Sequence, residues 1–189
     1  MDFLVIAQII PTGVMAVVLV WLILVFVSGI MSDFHGAPFV PIPVKAVPEL
    51  LGFGELLASD VYYDLGSGDG RTLISAVRDF RVQHAVGFEI APWPYRLSLW
   101  RVKRARLGAN IQINRGNFFS TDLSGATFIY IYLFPKLVDR LATKFESELK
   151  VGTKVLCPSF PIDTAKHPSF SLKKSEKIGT ITAYLYVKV

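Results

Sequence analysis

The chain has 189 residues, 52% of them hydrophobic, and sets 20 Lys and Arg against 15 Asp and Glu for a formal charge of +5. A single cysteine, Cys157, excludes an internal disulfide framework and fits a reducing compartment. The basic balance suits an anionic membrane or a nucleic acid and does not by itself separate the two.

Residues 12–31 read TGVMAVVLVWLILVFVSGIM, without a charge. Twenty apolar positions at helical rise span about 30 Å, the thickness of a bilayer's hydrocarbon core. A cleaved signal peptide would need a basic start, a shorter apolar core and a small-residue cleavage site. Asp2 is the only charge before this run. Residues 1–32 are therefore predicted to form an N-terminal transmembrane anchor. The nearest basic residue, Lys45, lies on the C-terminal side, which places residues 33–189 in the cytoplasm by the positive-inside tendency. Beyond residue 32 the chain carries all 20 basic residues and 14 of the 15 acids, a formal +6 in a length ordinary for one domain.

Residues 33–59 are predicted to be a connector that packs on the following domain. Pro38, Pro41, Pro43 and Pro48 favour an extended, polyproline-like path over a helix, and Phe39, Val40, Ile42 and Val44 supply apolar contacts. From residue 60 to 189 strand-like runs alternate with helical patterns. Strands are predicted at 61–64, 85–89, 111–115, 127–134, 153–160, around 170–174, and at 181–189. Helices are predicted at 71–80, at 93–108 with Gly108 as the stop, and at 136–149, where Leu137, Leu141, Phe145 and Leu149 share one face. The alternation implies an α/β fold: a Rossmann-like, open, mostly parallel seven-stranded sheet with helices on both faces.

In such a sheet the first strand–helix turn is the place for a ligand. Here it reads VYYDLGSGDGR, residues 61–71, with Gly66, Gly68 and Gly70 at alternate positions. The dinucleotide fingerprint G-x-G-x-x-G would require glycine at 71, which is Arg. Asp64 and Asp69 would also oppose a pyrophosphate, and both favour a ligand with positive charge. S-adenosylmethionine carries an ammonium and a sulfonium and no phosphate. Glu89, at the end of the second strand, can accept from the ribose hydroxyls.

D-L-G-S-G-D-G followed by a strand-terminal Glu resembles the class I, seven-strand S-adenosylmethionine-dependent methyltransferases. APFVPIP, VGFEIAPW, YIYLFP and LKVGTKVLCPSFPI are further similar to one branch of them. These are small membrane-anchored protein-lysine methyltransferases that act on the c-ring protein of ATP synthase and on the adenine nucleotide translocase. The resemblance covers roughly residues 37 to 162. It implies a cofactor site of Asp64, Gly66, Ser67, Gly68, Gly70, Glu89, Asn117 and Phe118. Two positions depart from the pattern. Asn117 follows Gly116 where many relatives have Asp as the adenine acceptor, and Ala91 stands where a polar residue is expected. An amide can still accept and donate.

Methyl transfer is an in-line displacement that needs alignment more than acid–base machinery. The end of the fourth strand, with Tyr132, Phe134 and Pro135, is where the resemblance places the substrate amine. Aromatic faces there can attract an ammonium before it loses its proton. Phe128, Tyr130, Tyr132 and Phe134 alternate, so core packing of one strand face competes with that reading. Arg96, Arg101, Lys103, Arg104 and Arg106 give the helix at 93–108 a basic run without an acid. That is a solvated face, a grip on lipid headgroups, or a track for RNA; without an RNA-binding module, nucleic acid is the disfavoured partner. The expected function is methylation of lysine on a membrane protein, with the bilayer engaged through residues 12–31. The alternatives are a lipid or small-molecule N-methyltransferase and an inactive, cofactor-binding adaptor.

Overall fold

The computed structural model describes residues 14–16, 18–23 and 40–189. Residues 14–16 and 18–23 are helical, and among the described residues no helix is long and apolar enough to cross a membrane. The predicted span at 12–31 falls largely outside the described residues.

Seven strands form one sheet in the order β3-β2-β1-β4-β5-β7-β6. They are β1 (Val61–Leu65), β2 (His84–Glu89), β3 (Ile111–Arg115), β4 (Phe128–Tyr130), β5 (Lys154–Pro158), β6 (Phe170–Ile178) and β7 (Ile181–Lys188). The first five pair in parallel, whereas β7 runs antiparallel to both β5 and β6. The order reverses between β1 and β4, so the crevice for a ligand opens beyond the ends of those two strands.

The helices are α1 (Ala46–Phe53), α2 (Arg71–Phe80), α3 (Pro92–Ala105) and α4 (Pro135–Glu148). They cover both faces unequally. On one face Leu50 and Leu51 of α1, Leu73 and Ala76 of α2 and Val102 of α3 pack with Tyr62, Phe128 and Leu156. On the other, Leu137, Leu141 and Phe145 of α4 pack with Leu65, Ile129, Val155 and Cys157. Successive residues of β4 and β5 enter opposite cores, the period-two pattern of a sheet buried on both sides.

Three predicted elements change. The extended connector gives way to α1, which contains Pro48. Proline is tolerated there because it lies in the first turn, where its missing N–H has no intrahelical acceptor. Leu50 and Leu51 are fully buried, so this stretch belongs to the core rather than lying upon it, while Val40 and Val44 remain exposed. The predicted strand at 127–134 pairs only over Phe128–Tyr130. Ile131 still donates to the Leu156 carbonyl, but β1 turns away at Gly66, and Phe134 is extended ahead of Pro135, the first residue of α4. Finally, α3 stops at Ala105 rather than near Gly108. Arg106 takes the left-handed conformation at φ 57, and Leu107 N–H reaches back to the Val102 carbonyl, a Schellman closure made without glycine.

Candidate active site

The turn after β1 is left-handed three times, with φ 99 at Gly66, 54 at Gly68 and 78 at Gly70, a conformation strained for any residue with a Cβ. Gly66 and Ser67 both donate to the Phe88 carbonyl at 2.9 Å, seating the loop on the end of β2. Gly87 makes that approach possible: a Cβ there would stand 2.6 Å from Leu73 Cδ1 and 2.7 Å from Ser67 Oγ.

Glu89 is held by backbone. Oε2 accepts from Gly68 N–H at 2.8 Å and Oε1 from Ala91 N–H at 2.7 Å. Each oxygen keeps a lone pair for a further donor. Burial raises its pKa against these bonds. The buried Ala91 contributes through its backbone N–H and as the N-cap residue of α3, so a polar side chain at position 91 is not needed to fix Glu89.

Asp64, 2% exposed, accepts from the Thr72 hydroxyl in the first turn of α2. Burial, together with the charges of Glu89 and Asp69, lifts its carboxyl to about 7. No cation among the described residues neutralises it. It pairs in register with Tyr130 of β4, whose buried hydroxyl has no hydrogen-bond partner among the described residues.

Asp69 behaves differently from its predicted role. Arg71 grips it with Nε at 2.8 Å and Nη2 at 2.5 Å, and Arg101 of α3 adds a third contact at 2.5 Å. Burial alone would raise the Asp69 carboxyl, but the two guanidiniums hold it below its usual range. Arg71 also donates to the Ile42 carbonyl. Asp69 is thus spent on tying the loop to α3 and to the connector, and Asp64 alone is left for a cationic ligand.

These groups line a cleft of about 850 Å³ with Val40, Pro41 and Ile42 along one side. Asp64, Gly66, Ser67, Gly68 and Glu89 line one end. Asn117 and Phe118 line another part, and Tyr132, Phe134 and Pro135 a third. Of the predicted site residues only Gly70 lies off the cleft: it caps α2, and a Cβ there would meet Ser98 of α3 at 3.1 Å. Asn117 Oδ1 accepts from Phe119 N–H at 2.9 Å and so caps the short 3-10 turn Phe118–Ser120; its amide NH2 is free to donate. Tyr130 and Tyr132 both face the core that holds Phe128, and both also border the cleft.

Sequence reading missed Thr72, Arg71, Tyr130 and the cations Lys136 and Arg140 of α4, all of which line the cleft. Lys136 and Arg140 stand four apart on a helix, a spacing that was legible; the stacking of Arg140 at 4.2 Å from the Phe119 ring was not. The other polar singletons lie elsewhere. His167 sits between Asp139 and Glu146, and the buried Cys157 has a thiol that burial pushes upward.

The donor set fits S-adenosylmethionine. A buried carboxylate without a cationic partner suits its ammonium, a fixed Glu suits a ribose diol, and an amide suits adenine. A pyrophosphate would find Asp64 and Glu89 in its place, with Arg71 already committed. An open α/β sheet with this loop defines a class I S-adenosylmethionine-dependent methyltransferase. Residues 64–169 match the ANTKMT methyltransferase domain, and the chain belongs to that family of protein-lysine methyltransferases.

It is 37% identical over 157 residues to a protein-lysine N-methyltransferase of Saccharolobus islandicus, covering 83% of this chain and 97% of that one. It is 31% identical to the Mus musculus lysine N-methyltransferase named for the c-ring protein of ATP synthase, covering 78% of this chain and 57% of the relative. The mouse adenine nucleotide translocase lysine N-methyltransferase is 32% identical over 53% of this chain and 44% of that one. The chain therefore spans about half the length of these mouse relatives. Among solved structures, an RNA methyltransferase of Salinibacter ruber in complex with S-adenosyl-L-homocysteine superposes with a TM-score of 0.73 at 29% identity, over 79% of this chain and 94% of that one.

Proposed function

We propose that this enzyme methylates a lysine side chain of a membrane protein, held at the bilayer by residues 12–31 with residues 40–189 on the cytoplasmic side. One observation carries the substrate reading. Tyr132, Phe134 and Pro135 line the same cleft as Asp64 and Glu89, and Phe134 is 43% exposed at its rim. A long, thin side chain presented by a macromolecule can enter there. The names of the mouse relatives, which specify lysines of the ATP synthase c-ring protein and of the adenine nucleotide translocase, support the membrane-protein substrate. The uncharged run at 12–31 supports the anchor.

In this reading Asp64 binds the ammonium of the cofactor, Glu89 takes the ribose hydroxyls and Asn117 with Phe118 receives the adenine. The bound cofactor supplies an electrophilic methyl on sulfur. The aromatic faces of Tyr132 and Phe134 collect the substrate ammonium and, once it is neutral, hold its lone pair in line. The three acids lining the cleft, Asp64, Asp69 and Glu89, all belong to the loop end, so none is set beside the amine. The amine then loses its proton to solvent before attack.

Incubation of the full chain with labelled S-adenosylmethionine and membranes should place label on protein lysine. Label confined to lipid or to RNA would overturn the substrate, and absence of cofactor binding would overturn the site.

A further inference from the structure

The outer face of α3 has no part in the cofactor site. Trp93 is 40% exposed, Leu99 42% and Trp100 55%, and Lys103, Arg104 and the capping Arg106 are exposed among them, with Arg96 on the same arc. At 100° per residue these seven positions fall within about half of the helix circumference. Among the described residues Arg96, Lys103, Arg104 and Arg106 make no salt bridge. Arg104 lies instead over the Trp100 ring at 5.4 Å. The remaining basic residue of the helix, Arg101, turns inward to Asp69.

We infer that this face of α3 docks on an anionic bilayer surface, with Trp93, Leu99 and Trp100 entering the headgroup boundary and Arg96, Lys103, Arg104 and Arg106 pairing with lipid phosphates and carboxylates. The inference rests on the proposed membrane-protein substrate and adds a second attachment to it. Interfacial helices combine this chemistry: a basic polar arc with tryptophan and leucine beside it. Single-stranded RNA would also use cations and aromatic rings, but it has no use for exposed Leu99 between them.

Position favours the membrane as well. Asp69 binds Arg101 of α3 on one side and Arg71 on the other, and Arg71 holds the Ile42 carbonyl. The chain that leads back to residues 12–31 therefore leaves the domain within two side chains of α3. Docking of α3 would thus set the cleft, whose side is formed by Val40–Ile42, beside the lipid surface. Lysines within reach would be those at the water–lipid boundary.

Of the three tryptophans, only Trp21 lies outside α3. The test uses the full chain with Trp21→Phe, reconstituted into vesicles whose acyl chains carry bromine, so that the remaining fluorescence reports α3. With phosphatidylserine in the vesicles, the emission should shift to the blue and be strongly quenched, and less so in phosphatidylcholine alone or at high salt. Each basic residue near an anionic surface strengthens attachment roughly fivefold, so R96E/K103E/R104E should lower the docking equilibrium on the order of 100-fold. That variant should keep its affinity for S-adenosylmethionine. Trp100→Ser, which removes an exposed side chain, should lose about half the quenching if the two rings contribute equally. No quenching in phosphatidylserine vesicles overturns the inference, as does an emission shift given only by single-stranded RNA. If quenching is as expected but no lysine is methylated, the docking face stands and the substrate reading falls.

Discussion

Asp69 of the glycine loop and Arg101 of α3 stand 32 residues apart in sequence and 2.5 Å apart in space. The contact joins the cofactor loop to a helix whose other face is in solvent, and Arg71 on the same carboxylate extends the tie to the connector. Removing one partner of a buried ion pair leaves uncompensated charge. Asp69→Asn should therefore destabilise the fold by about 3 kcal/mol, read from the urea midpoint. Cofactor affinity, measured on the fraction that remains folded, should fall less than tenfold.

Asp64 should show the opposite pattern. Its folded pKa of about 7 lies above the unfolded value near 3.9, so the folded protein binds the extra proton between those limits. Stability of the cofactor-free protein is then greatest below about pH 4 with respect to this group and falls as pH rises to about 7. Asp64→Asn should remove that slope and leave stability at neutral pH unchanged or higher. The same variant should lose S-adenosylmethionine affinity by roughly 100-fold or more, on the order of a lost buried charge pair. In the parent enzyme, affinity should strengthen as pH rises through about 7, which calorimetry over a pH series can follow.

Gly87 tests the seating of the loop. Gly87→Ala places a methyl 2.6 Å from Leu73 Cδ1 and 2.7 Å from Ser67 Oγ, and overpacking of this kind costs about 1–3 kcal/mol. Because Ser67 belongs to the loop, cofactor affinity should fall together with the melting temperature. A variant with normal affinity would separate the loop from β2.

Asn117 offers a gain. Asn117→Asp keeps an oxygen to cap Phe119 N–H and adds a charged acceptor for the adenine amine, so affinity should rise a few-fold. Asn117→Ala should lose both, with about 1 kcal/mol of local stability from the cap. Unchanged affinity in both variants would remove Asn117 from the site.

With no acid at the substrate end, kcat/KM should climb about tenfold per pH unit above about pH 7, toward the ordinary lysine pKa near 10.4. A plateau near neutrality would reveal a base inside the cleft. Tyr132→Ala should lower kcat/KM by roughly tenfold or more with little change in cofactor affinity, through lost cation–π attraction and alignment.

What was legible in the sequence followed from local rules. The strand–loop–helix of residues 61–80 could be read because glycine spacing, apolar runs and helical periodicity all act within a few residues. The role of Asp69 could not, since its charge is cancelled by Arg101, which only the fold brings near. The helix α1 hid behind Pro48, whose meaning depends on whether it falls in a first turn. The fourth strand was drawn too long because alternation continues through Phe134 after pairing partners have run out; side-chain pattern reports burial, and hydrogen-bonded length depends on the neighbours. Thr72 was passed over because a threonine in a helix announces nothing until the buried carboxylate beneath it is known.

The outermost strand, β6, leaves one row of backbone donors and acceptors unpaired, and Lys173, Lys174 and Lys177 punctuate it. Lys173 and Lys174 both bind Glu55, after α1, so this edge is pinned to its own domain and keeps a charged rim. Wherever copies of the chain are crowded together, edge-to-edge pairing is the route to aggregation, and lysines on such an edge oppose it. The sheet can thus end in an open strand and the protein still resist polymerising through it.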